Sequence, residues 1–106
     1  MSEARLIKFR FKPDGAKKWR EWSGELKRRT EEVFETLRNE GVIAEACFLS
    51  ADQDAVYYFV AAEDLGRAEE AARRSSFAID REHTLAKSAA LERVEQLECL
   101  FFFDNR

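Results

Sequence analysis

The stretch from Asp14 to Gly41 constrains this 106-residue chain more than any other. At about 100° per residue, Ala16, Trp19, Trp22, Leu26, Thr30, Val33, Phe34 and Leu37 fall on one arc of a helix. The opposite arc is charged, with Lys17/Glu21, Glu25/Arg29, Lys27/Glu31 and Arg28/Glu32 at the i, i+4 spacing that supports a solvated helix face. Such a helix meets water on one side and must lie on apolar material with the other. The remainder of the chain therefore has to supply a layer for it to cover.

That layer reads as β-structure. Arg5 to Phe11 alternates Leu6, Lys8 and Arg10 with Ile7, Phe9 and Phe11, the period-2 signature of a half-buried strand. Lys12-Pro13-Asp14-Gly15 is a turn, with Asp14 placed to cap the long helix and Gly41 placed to end it in a left-handed conformation. Val42 to Leu49 and Ala55 to Ala62 are predicted as a hairpin around the polar loop 50–54. Asp64 caps a short helix from Leu65 to about Arg74, and Asp80 caps a further helical segment through Leu91, with Leu85 and Ala89 spaced for one face. Val94 to Phe103 is predicted as the last strand.

The order is βαββαβ with a few extra helical turns before the final strand. It predicts one α+β domain over residues 1–106, a ferredoxin-like four-stranded antiparallel sheet with the first and third strands central. Both helices would cover one face. The other face would carry Leu6, Lys8, Arg10, Ile43, Glu45, Cys47, Glu98, Leu100 and Phe102, too apolar for open water, which predicts a sheet-to-sheet homodimer.

Charge and cysteine usage narrow the function classes. A net charge of −3 and a pI near 5.3, with bases and acids interleaved, argue against nucleic-acid binding. No stretch approaches the roughly 20 apolar residues of a membrane span or the long apolar run of a signal peptide, so the expectation is a cytoplasmic, soluble protein. Cys47 and Cys99 lack metal-ligand spacing, so reduced thiols, no metal and no cofactor are expected.

Candidate chemistry is sparse. His83 is the only histidine and the only imidazole available for proton transfer near neutral pH, although a position soon after a capping Asp80 also fits a plain polar residue near solvent. Lys8, Arg10, Glu45 and Glu98 punctuate strands with apolar neighbours. Converging in a barrel cavity, they would orient a small polar molecule or run acid/base chemistry, with Glu45 and Glu98 as the carboxylates; pairing with one another, they would only line an interface. Tyr57 and Tyr58 point to opposite faces, and either can donate a hydrogen bond to a ligand. Two functions follow: an enzyme or binder of a small polar organic molecule, or a non-catalytic dimerising module that meets a protein partner.

The runs KFRFKP, WREW, ETLRNEGV, YYFVAAEDL, IDREH and LFFFDN, in that order, resemble a family of small prokaryotic proteins of unknown function. The resemblance implies a dimeric α/β barrel of ferredoxin-like type, the superfamily that also holds antibiotic-biosynthesis-type monooxygenases, haem-degrading proteins and L-rhamnose mutarotases. The chain is distantly similar to the mutarotases in strand and helix order. Those carry a working His early in the first long helix, where this sequence has Trp19 and Trp22, so the resemblance implies a fold and not that activity.

Overall fold

A computed structural model describes residues 2–106. The elements are β1 (Glu3–Phe11), α1 (Gly15–Arg28), α2 (Thr30–Glu40), β2 (Val42–Leu49), β3 (Ala55–Ala62), α3 (Leu65–Arg74), α4 (Ala78–Ala90) and β4 (Leu91–Leu97). The α+β class with a four-stranded antiparallel sheet is as expected, and the strands lie in the order β2-β3-β1-β4. The element order is βααββααβ, with four helices where two and a few turns were expected.

The long helix is broken at Arg29, whose backbone leaves helical geometry at φ −115°, ψ 41°. A straight helix from Gly15 to Glu40 would run about 39 Å, as long as the whole molecule, whose largest extent is 38 Å. The break keeps both halves over the sheet: α1 packs on α4, while α2 packs on α3 and β2. Arg29 staples the joint, bonding Glu32 at 2.8 Å within α2 and Glu82 of α4 at 2.7 Å. The break also resets the helical phase, so Thr36 is buried and Phe34, expected inside, is 57% exposed.

Two capping expectations hold. Asp64 accepts from the Arg67 N–H at 3.1 Å, and Gly41 ends α2 at φ 70°, a conformation open to glycine without strain. Two do not. Asp14 sits at the start of α1 in a left-handed conformation, and its side chain makes no capping bond. Asp80 is inside α4 rather than before it, because Phe77 occupies the cap position. In consequence α4 is turned from its expected orientation: Ile79 and Ala90 are buried and Leu85 is 70% exposed.

The last strand is the largest displacement. It begins at Leu91, pairs with β1 across a bulge at Lys8/Phe9, and ends at Leu97, so Glu98 to Phe103 lie beyond it. The phenylalanine run, which alternation predicts as a strand, instead forms a tail outside regular secondary structure. Phe101 and Phe103 stack at 5.2 Å in solvent, and Phe102 packs on Phe59 at 6.3 Å. The core joins Ile7, Phe9, Val56, Tyr58 and Val60 of the sheet to Trp19, Ala90 and Leu91. Cys47 and Cys99 are both free. Among the described residues, no helix is long and apolar enough to cross a membrane.

Gly15 starts α1 directly against the end of α4, where Lys12 N–H donates to the Ala90 carbonyl at 2.9 Å. A Cβ at Gly15 would collide with that same carbonyl oxygen. Because the obstacle is backbone, Gly15→Ala is expected to lower stability by about 1–3 kcal/mol, as overpacked cores do. Urea denaturation checks this; a variant as stable as the wild type would show that the junction yields.

Candidate functional site in the cavity under the helices

A cavity of about 220 Å³ lies between the sheet and the helix layer. Its floor is the inner face of the central strands, where antiparallel register sets Ile7 beside Tyr58. Its roof includes one stripe of α4, Asp80, His83 and Lys87, whose spacings of three and four residues align them on a single helix face. Glu45 enters from β2, Thr36 and Glu40 from α2.

A directed chain of hydrogen bonds runs from Trp22, behind the wall, through three residues that line this space, His83, Tyr58 and Glu45. The Trp22 indole N–H donates to His83 Nδ1 at 2.8 Å, and an indole can only donate, so Nδ1 must present its lone pair. Burial, with the Lys87 charge adding to it, pushes the His83 pKa down to about 4, so the ring is neutral and its one proton sits on Nε2. That proton points at Tyr58 Oη, 2.9 Å away. The phenol in turn donates to Glu45 Oε1 at 2.5 Å. The network thus assigns the imidazole tautomer and the direction of every bond. Trp19 closes the group, its ring 6.3 Å from Tyr58 and 5.8 Å from His83.

The surroundings tune the carboxyls. Glu45 stands on an edge strand, open to solvent outward and crowded inward; burial raises its pKa, against the Tyr58 hydrogen bond and the Lys87 charge. Burial also raises Glu40 to about 7, with Asp80 and Glu45 adding to the effect. The Tyr58 phenol is held well above its ordinary range by burial and then by the Glu45 charge. Thr36 Oγ1 donates to Asp80 Oδ2 at 2.6 Å, and the Ser75 hydroxyl donates to the same oxygen.

Of the residues singled out in the sequence, His83, Glu45 and Tyr58 come together here. His83 is not a solvent-facing residue of the first turn; it lies mid-helix and faces inward, because α4 starts at Ala78. Lys8, Arg10 and Tyr57 lie on the opposite face of the sheet, where Lys8 Nζ sits 5.8 Å over the Tyr57 ring and Arg10 pairs with Glu92 at 3.0 Å. Glu98 is exposed in the tail beyond β4. The expected convergence of Lys8, Arg10, Glu45 and Glu98 does not occur. Alternation alone puts Glu45 on the open face, but a register irregularity between Val42 and Ala44 sets it opposite Val60, on the helix side. Glu40, Asp80 and Lys87 went unread as site residues. For Asp80 and Lys87 the signal is a polar stripe shared with His83 at helical spacing on α4; Glu40, on α2, carries no such signal.

These features define a class: a small α+β protein with a polar cavity between its helices and an antiparallel sheet. Within that class the chain belongs to a family of unknown function, DUF6176, whose profile matches residues 2–105. No curated protein matches the sequence.

Proposed function

We propose that the cavity binds a small polar organic molecule and that Tyr58 and Glu45 move a proton on it. The observation that carries this reading is the directed chain from Trp22 through His83 and Tyr58 to Glu45, which borders the cavity. A buried polar network this specific is costly to keep unless every member is satisfied, and here each hydrogen bond supports the next. His83 is the positioning residue: with both ring nitrogens engaged, it holds the Tyr58 hydroxyl toward Glu45. Glu45, its pKa raised, is the proton acceptor, and Tyr58, whose one proton goes to Glu45, offers its oxygen to a hydroxyl of the ligand and so relays that group's proton to Glu45.

A thermal-shift screen of sugars, organic acids and haem tests the reading, repeated with Tyr58→Phe. A compound that stabilises the wild type is expected to lose at least about tenfold in affinity with Tyr58→Phe, or about 1.4 kcal/mol, while the variant stays folded. A ligand held equally by both proteins would overturn it.

The reading extends to assembly: a ferredoxin-like fold that pairs with a second copy, sheet to sheet, as a dimeric α/β barrel. Supporting it, residues lining the cavity from all four helices meet the inner sheet face, leaving Phe48, Tyr57 and Phe59 on the other face, where Phe102 packs at a tilt on Phe59 and Lys8 lies over Tyr57. Sedimentation equilibrium is expected to give a dimer that Phe48→Asp disrupts and Glu31→Lys, on the outside of α2, does not. A monomeric wild type would remove the barrel while leaving the cavity reading intact.

A further inference from the structure

The cavity holds one ammonium, Lys87, that forms no contact ion pair among the described residues; Glu45 acts on it only from a longer distance. Lys87 Nζ lies 5.1 Å from the centroid of Phe9 and 5.4 Å from that of Tyr58, held over ring faces. The other cation on the wall, Arg5, is already paired with Glu69. A lysine half-buried among aromatic rings is short of bulk water and of a direct ion-pair contact, and an anion brought into the cavity supplies that contact.

The opposite end has the converse composition. Asp80 stands seven residues before Lys87 on the same stripe, about 10 Å along the helix axis. It already gathers two hydroxyls, those of Thr36 and Ser75. A threonine has a single proton to donate, and Thr36 gives it to Asp80 at 2.6 Å rather than to Glu40 at 3.4 Å. Glu40 is thereby left facing the cavity with hydrogen-bonding capacity to spare. Groups that donate and accept at once, as hydroxyls do, fit this end; a carboxylate there would meet Asp80 and Glu40 together and be repelled. The cavity volume of about 220 Å³ falls below the roughly 300–1,000 Å³ of drug-sized sites, which limits the ligand to a small metabolite.

We infer that the cavity takes a small hydroxy carboxylic acid, its carboxylate on Lys87 and its hydroxyl groups toward Glu40 and Asp80. The inference rests on the reading of the cavity as a small-molecule site and adds the ligand's chemical class. Matched probes separate the two: D-gluconate against sorbitol, and D-glycerate against glycerol, each pair differing only in whether one terminal carbon is a carboxylate. The readout is the Trp22 indole N–H resonance in nitrogen-15 spectra, because that group bonds His83 at the cavity wall.

At least one of the two acids is expected to shift this resonance saturably and to bind at least tenfold more tightly than its polyol. Lys87→Gln, which removes the charge while keeping a polar side chain only one atom shorter, is expected to abolish that preference, and Lys87→Arg to retain part of it. Well-dispersed spectra of both variants verify that they fold. Equal binding of acid and polyol, or an acid preference that survives in Lys87→Gln, would overturn the carboxylate assignment and leave a neutral-ligand site. Silence of the indole resonance toward all four probes would overturn the hydroxy-acid class, while the broader screen with Tyr58→Phe decides the binding reading separately.

Discussion

Trp19→Ala is expected to destabilise the protein by about 3–5 kcal/mol, the range for truncating a buried aromatic. Trp19 is only 4% exposed, and its ring stands between Tyr58 of the sheet and His83 of α4, so its removal opens a void where helix layer and sheet meet. Against a total stability of order 5–15 kcal/mol this is a large fraction. Trp22, the sequence's other tryptophan and at first sight an equal core anchor, is only half-buried; its weight lies in the hydrogen bond to His83. Arg28→Ala, on the solvated side of α1, is expected to cost less than about 0.5 kcal/mol. Urea denaturation of Trp19→Ala and Arg28→Ala compares the two faces directly, and similar losses would show that the burial assigned to α1 is wrong.

Acidification is expected to act through two cavity groups of opposite sign. His83 has its ordinary pKa of 6.5 when unfolded and about 4 when folded, so the unfolded chain takes up the proton first. Its contribution to stability is therefore lost as pH falls from 6.5 toward 4, by on the order of 2–3 kcal/mol at about 1.4 kcal/mol per unit. Glu40 behaves in reverse. Its folded pKa of about 7 lies above the ordinary 4.5, so the folded chain is protonated first and stability is gained as pH falls between those values. Because Glu40 is only half-buried, solvent screening reduces that gain to about 1–2 kcal/mol. Between pH 6.5 and 4.5 the two partly cancel. Glu40→Gln removes the gain, and is expected to be more stable than the wild type by about 1–2 kcal/mol at pH 8 and equal to it near pH 4. Denaturant midpoints across this range check the sign, and a Glu40→Gln variant less stable at pH 8 would contradict it.

The sequence carried the sheet further than the helices. Alternation in Arg5 to Phe11 and in Ala55 to Ala62 identified the two central strands, because buried strands on one core have few ways to satisfy a period of two. The helical stripe from Ala16 to Leu37 assumed one unbroken phase, and the break at Arg29 is stabilised by an ion pair to Glu82, more than fifty residues away, which no local pattern reveals. In β2 and β4 the faces were misread for a related reason. One register irregularity near Val42 and one bulge opposite Lys8 each reverse the inside and outside of an edge strand. The site was legible where a residue was scarce or out of place: a single histidine, a pair of adjacent tyrosines and Glu45, a carboxylate in an apolar strand, attract scrutiny, whereas Glu40, Asp80 and Lys87 look like ordinary charges until α2 and α4 are oriented.

The fixed imidazole has a consequence for how this protein regulates charge. In most proteins histidine supplies the buffering around neutrality and carboxylic acids are spent by pH 5. Here the sole imidazole is a neutral dipole around pH 7, held between an indole and a phenol, and Glu40, with its pKa of about 7, is a cavity group that exchanges protons with the medium in that range. A rise in alkalinity through neutrality therefore adds negative charge inside the cavity, where in a histidine-buffered pocket it would remove positive charge.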